Sequence, residues 1–174
     1  FCFIFIILFF FVSPFYAFSN HKSILTKITE ARNQEDKIRL LVSYLDDLEP
    51  KDKKSENLNT FLSELQKSEP LLESHINFNK QIIEIQSNPD SKQRISEYNK
   101  LMNFYKKKNK TLFEGVCLLQ ISQQQLNLEQ YDIALRNAIT ANELLKKVGY
   151  NNIPEIGKYL HSLALTHFFF KDYN

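Results

Sequence analysis

The residues of this chain that could do chemistry are few and scattered. Histidines stand at His21, His75, His161 and His167. His161 and His167 lie six apart, about 240° round a helix, so they do not share a face. No His-Glu-x-x-His or comparable ligand spacing occurs, and neither a metal nor any other cofactor is expected. Cys2 falls inside an apolar run with no lipobox-like setting. Cys117 falls in a helical stretch, where a lone thiol behaves as a small apolar residue. A catalytic cysteine–histidine pair needs an activated thiol and a third group to orient the base, and nothing marks either. A single cysteine beyond the leading apolar run also cannot close an internal disulfide. Gly115, Gly149 and Gly157 are isolated, which excludes a phosphate-cradling loop. Asp46, Asp47 and Glu49 cluster at a helix end and read as a solvated terminus, not as an acid–base pair. Asn109-Lys110-Thr111 matches a glycosylation sequon, which matters only in a eukaryotic secretory pathway. The stretch reads as non-enzymatic, with room for a kinase domain beyond Asn174.

Composition narrows the class further. The 174 residues are 43% hydrophobic, enough for a real core in one domain or one short array. Three Gly and five Pro are too few for an all-β domain with a turn every eight to twelve residues. A formal net charge of +2 with interspersed signs gives no pull toward nucleic acid. The one cationic run, Lys106-Lys107-Lys108-Asn109-Lys110, complements the negative end of a helix, and no aromatic platform accompanies it.

Taken in order, the chain opens with uninterrupted apolar residues from Phe1 to Val12. Ser13-Pro14 and the small residues Ala17 and Ser19 follow. About twelve apolar residues are short for a membrane span, so residues 1–19 read as a secretory signal cleaved after Ser19. An uncleaved membrane anchor is the alternative. Residues 20–90 read as degenerate helical hairpins. His21 to Ala31 carries Ile24, Leu25 and Ile28 on one side; the next helix opens at Asn33 with Ile38, Leu41, Val42, Leu45 and Leu48, and Pro50 closes it. Leu58, Phe61, Leu62 and Leu65 form the third stripe. Leu71 to Gln86 is apolar enough, with Leu72, Ile76, Phe78, Ile82, Ile83 and Ile85, to be buried on more than one side. Ser87-Asn88-Pro89-Asp90-Ser91 is a loop with Ser91 as the expected N-cap. Ile95, Tyr98, Leu101, Met102 and Tyr105 follow at helical spacing.

The segment from Gly115 to Lys147 organises the rest. Two amphipathic helices stand back to back around Leu128-Glu129-Gln130-Tyr131-Asp132, with small residues at Ala134, Ala138 and Ala141 where the second must press on the first. This resembles a tetratricopeptide repeat. The resemblance sets Leu118 and Ile121 at the large positions of the first helix and Ser122 at its close-packing position. Tyr131 then opens the second helix, and Ala134, Ala138 and Ala141 pack it. Gln125, Ala138 and Lys146 depart from the usual tyrosine, aromatic and proline. A second partial copy carries Leu160, Leu163, Ala164 and Tyr173, with Tyr131 and Tyr173 forty-two positions apart. Residues 91–174 thus read as tetratricopeptide-like repeats with the last one truncated. The chain reads as the N-terminal piece of a longer protein.

The expected architecture is an all-α, right-handed solenoid of antiparallel helix hairpins. The resemblance implies a concave surface for a protein or peptide ligand, lined by Val116, Leu119 and Gln123 in one copy and by Lys158, His161 and Leu165 in the next. Gln123, Lys158 and His161 are its polar members. The last helix, from Glu155 to Phe170, turns Tyr159, Leu160, Leu163, Ala164, His167 and Phe168 inward. Of these, Leu160, Leu163, Ala164 and Phe168 lack the helix that should cover them and are expected to be exposed. A leading signal, Ala31-Arg32-Asn33-Gln34-Glu35-Asp36-Lys37-Ile38-Arg39-Leu40-Leu41 and then repeats also resembles Bacteroidota signalling proteins with an extracytoplasmic repeat array. That implies the sensor segment of a membrane-anchored histidine kinase or helix-turn-helix regulator. A free periplasmic or secreted adaptor is the alternative. Membrane contact is expected only through the N-terminal segment or a helix downstream.

Overall fold

The computed structural model describes residues 21–49, 51–154 and 156–173, with Asp172 and Tyr173 described by backbone alone. The expectations placed on residues 1–19, on Pro50 and on the Tyr173 side chain lie outside the described residues. Among the described residues the chain is all-α: eight α-helices, three short 3-10 turns and no strand. It divides into two compact units, one through Asn79 and one from Lys80.

The first unit starts with α1 (21–30), whose buried residues are His21 and Ile28. Helix α2 (Gln34–Asp47) begins where the Asn33 side chain accepts the Asp36 backbone N–H at 2.8 Å. That bond satisfies a donor the first turn would otherwise leave bare. Its stripe Ile38, Leu41, Val42 and Leu45 is buried, joined by Tyr44. Asp46, Asp47 and Glu49 are exposed at its far end. Helix α3 (Glu56–Ser68) is capped by Ser55 and buries Leu58, Phe61, Leu62 and Leu65. Lys37 Nζ meets Glu69 Oε1 at 2.6 Å and ties α2 to the end of α3, with both side chains mostly covered. Contrary to the sequence reading, the next α-helix does not start at Leu71. Pro70 opens a 3-10 turn (Pro70–Leu72), Leu71 points out at 75% exposure, and α4 (Glu73–Gln86) begins after it. Proline suits such a first position because its missing N–H is not needed there.

The second unit contains the end of α4 and then α5 (Ser91–Lys107), α6 (Thr111–Asn127), α7 (Tyr131–Val148) and α8 (Ile156–Tyr173). The N-cap of α5 is Asp90, not Ser91: its carboxylate accepts the Lys92 and Gln93 N–H groups. A carboxylate there also complements the positive end of the helix, which a hydroxyl does not. Tyr98, Leu101 and Tyr105 face the core, and Ile95 and Met102 are half-buried.

Two connectors in this unit have one geometry. Between α5 and α6 lie Lys108, Asn109 and Lys110; between α6 and α7 lie Leu128, Glu129 and Gln130. Asn109 and Glu129 hold φ of 55° and 59°, in the left-handed region. In each, the third residue's N–H returns to a carbonyl five residues back: Lys110 to Tyr105 at 3.0 Å, Gln130 to Gln125 at 2.9 Å. This is a left-handed helix stop of the Schellman kind, and it reverses the chain within three residues. Neighbouring helices therefore pack as antiparallel pairs, α5 on α6 and α6 on α7. Helix α8 touches both α6 and α7.

Candidate functional site

Helix α6 is the centre of the second unit, and its neighbours are the reason. Phe113, Gly115, Val116, Cys117, Leu118, Leu119, Ile121, Ser122, Gln124, Gln125 and Leu126 are all buried, because α5, α7 and α8 all contact it. Each fully covered Leu, Ile, Val or Phe contributes about 1.5–3 kcal/mol. The packing against α7 is close at two levels. A Cβ added to Gly115 would meet Leu145 Cδ2 at 3.3 Å and the Ala141 carbonyl oxygen at 3.4 Å. Further along, Ser122 Oγ donates to the Ala134 carbonyl at 2.8 Å. Ala134, Ala138 and Ala141 are wholly buried on the facing side of α7, and Tyr131 begins that helix. Larger residues at these positions would hold the two helices apart.

Three buried polar residues of α6 are matched, whereas the Tyr98 hydroxyl of α5 has no hydrogen-bond partner among the described residues. Gln125 Oε1 accepts from Asn137 Nδ2 at 2.8 Å, an α6–α7 bond. Gln124 Oε1 accepts from Ser91 Oγ at 3.3 Å, joining α6 to the start of α5. Ser122 Oγ also lies 3.4 Å from Thr166 Oγ1 of α8, both residues 1% exposed. Cys117, also on α6, is wholly buried, and burial, with Glu114 secondarily, pushes its thiol up to about 12. It is therefore protonated and unreactive at neutral pH. Tyr98, wholly buried on α5, is likewise pushed up to about 12 by burial above all.

The positions expected to line a groove separate into two sets. Val116 and Leu119 belong to the core at 4% and 2% exposure, because α6 is enclosed there by its neighbours, and they are not groove residues. Gln123 is half-buried on the same helix, in line with half-buried Gln120 and exposed Asn127 at i, i+3, i+7 spacing. On α8, Lys158, His161 and Leu165 repeat that spacing and are exposed. Gln120 and Asn127 were passed over in the sequence; the spacing alone could have found them.

Helix α8 differs from its expected setting. Thr166 is its buried residue, and Tyr159, Ser162, Leu163, Phe169 and Phe170 are half-buried. Leu160, Ala164 and Phe168 are exposed, as expected for a face with no covering helix, whereas His167 is also exposed and Leu163 is not. The face of Leu160, Ala164 and Phe168 is thus open, with Leu163 at its edge. The helix is turned so that the Thr166 hydroxyl meets Ser122.

A cleft of about 620 Å³ also opens in this unit between the end of α4 and α5, with Glu84, Ser87, Glu97, Lys100 and Phe104 on its walls. Phe104 is half-exposed, with Lys108 Nζ 4.4 Å over its ring. Among the described residues no group of three histidine, cysteine or carboxylate side chains is placed to hold a metal ion. No described helix is long and apolar enough to cross a membrane. No protein-family model, no curated protein and no solved structure matches the chain.

Proposed function

We propose that the chain is a protein- or peptide-binding helical repeat module of tetratricopeptide type, without catalysis of its own. The observation that carries the reading is the enclosure of α6: it packs on α5 before it, α7 after it and α8 beyond. A first helix in contact with both its own partner and the next first helix is what stacked hairpins require. The small residues Gly115, Ser122, Ala134, Ala138 and Ala141 at the α6–α7 crossing support it. So do the two connectors of equal geometry. On this reading the hairpins continue as a right-handed solenoid, and the binding face runs along Gln120, Gln123 and Asn127 of α6 and Lys158, His161 and Leu165 of α8. Its mixed amide, cationic and apolar surface suits an extended peptide read by side-chain hydrogen bonds. Within the proposal, the leading apolar segment makes the module an extracytoplasmic sensor segment of a membrane-anchored signalling protein; a free exported adaptor is the alternative.

The test is a selection of displayed random peptides on the folded chain. Peptides enriched on the wild type should lose at least tenfold in affinity on the triple variant Gln123→Ala, Lys158→Ala, His161→Ala with helicity unchanged. Enriched peptides indifferent to the triple variant, or no enrichment at all, would remove the proposed surface. A fusion of the first thirty residues to a phosphatase active only outside the cytoplasm checks export separately.

A further inference from the structure

Helix α1 is fastened to the first unit by a sandwich of rings. His21, 8% exposed, stacks on Phe61 of α3 with centroids 5.4 Å apart and planes at 26°. It meets Tyr44 of α2 edge-on at 5.7 Å, and Tyr44 meets Phe61 at 5.2 Å. His21 Nδ1 and Tyr44 Oη are hydrogen-bonded. The other buried anchor of α1 is Ile28, while Ile24 and Leu25 are half-buried. A cavity of about 310 Å³ beside the ring, with Lys22, Leu25, Asn57, Phe61 and Glu64 on its walls, gives water and protons access to it.

Protonating His21 would place a cation inside this sandwich. In the neutral ring Nδ1 accepts the Tyr44 hydroxyl proton; in the imidazolium it must donate to the same oxygen, so one bond survives either way. What changes is the cost of holding charge away from water. The charged and titratable groups facing the ring are Asp52 of the turn before α3, Glu64 of α3, Lys22 of α1 itself and Tyr44 of α2. Asp52 favours a cation, while Glu64 and Lys22 line the adjoining cavity. Tyr44 stays neutral, its hydroxyl pushed up to about 12 by burial and then by Asp52. Burial is the larger influence on His21 and holds it below its ordinary 6.5, with Asp52 pulling the other way.

We infer that His21 is a pH-sensitive latch: neutral, it clips α1 onto α2 and α3, and protonated, it lets that helix leave. The sign follows from the lowered value. The released chain binds a proton more readily than the docked one, so the His21 contribution to docking is complete above the ordinary 6.5 and drains away as pH falls below it. While the docked ring remains neutral, the opening constant of α1 grows by at most about tenfold per pH unit. The inference is independent of the binding role proposed above.

The test uses the whole chain. The His21 ring proton is titrated by NMR, assigned by its loss in His21→Phe, a variant that keeps an aromatic ring on Phe61. Amide exchange of residues 24–30 is followed at pH 7.5, 6.5 and 5.5, corrected for intrinsic rates. A midpoint below 6.5 is expected, with opening that rises several-fold between pH 6.5 and 5.5 in the wild type and stays flat in His21→Phe. A midpoint at or above 6.5, or the same pH dependence in both proteins, overturns the inference. Should His21→Phe leave α1 open at every pH, the wild-type midpoint decides alone, below 6.5 in favour and otherwise against.

Discussion

The contact between Ser122 and Thr166 is the most informative place to perturb the second unit, because it joins α6 to a helix two elements further on. Ser122 Oγ gives its one proton to the Ala134 carbonyl at 2.8 Å, so the Thr166 hydroxyl must share its own between Ser122 Oγ at 3.4 Å and the Ser162 carbonyl at 3.0 Å. A neutral buried hydrogen bond contributes about 0.5–1.5 kcal/mol net. Ser122→Ala removes a short bond and a long one, and the short one dominates, so a loss of about 1 kcal/mol is expected. Thr166→Val keeps the shape and removes the hydroxyl, with a loss of similar size. At 3.4 Å the hydroxyl pair is long for an O–H···O bond, which is best near about 2.7–2.8 Å, so its own share is small. The double variant should therefore lose about 0.5 kcal/mol less than the sum of the singles. The chain has no tryptophan, so urea unfolding is followed by helical circular dichroism and tyrosine fluorescence. Losses that add to within about 0.3 kcal/mol would show that the hydroxyls do not sense each other, and the docking of α8 on α6 would have to be redrawn.

Other outcomes are as specific. Glu129→Gly should stabilise by about 0.5–1 kcal/mol, since a left-handed residue at a helix stop favours glycine; a lower urea midpoint would contradict the turn geometry. Asp90→Ala should cost about 1 kcal/mol, and Ser91→Ala should leave the cap bonds intact, so the carboxylate must prove the more sensitive of the two in the same unfolding assay. Cys117 should resist thiol reagents in the folded chain at pH 8 and react fully in denaturant, because its thiol sits at about 12 and is wholly buried. Rapid labelling of the native protein would mean that α6 is not enclosed.

Much of this was legible in the residues themselves. The stripes of α2 and α3 and the alanine ladder of α7 follow from spacing, because a helix with one wet face has to repeat its apolar residues every three or four positions. What spacing could not give was the number of neighbours. Val116 and Leu119 look like an exposed apolar edge on a two-sided helix, and they are core only because α6 is covered on further sides. Gly115 reads as an isolated glycine until the Leu145 and Ala141 atoms 3.3–3.4 Å from its missing side chain are known. The rotation of α8 was hidden for a different reason. Its bulky apolar residues suggested an inward face, whereas the residue buried against Ser122 is Thr166. The proposed binding face was legible only in part: the i, i+3, i+7 pattern of Lys158, His161 and Leu165 recurs on α6 as Gln120, Gln123 and Asn127, and of the expected Val116, Leu119 and Gln123 only Gln123 belongs to it.

The two three-residue connectors bear on how fast the second unit finds its structure. They make each helix pack on its sequence neighbour, so most of the native contacts close short loops, and little chain entropy is lost before apolar burial compensates. Helical proteins with such local wiring fold in about microseconds to milliseconds. Helix α8, held through Thr166 and half-buried rings with one face open, is the element expected to dock last and to peel off first under force or protease.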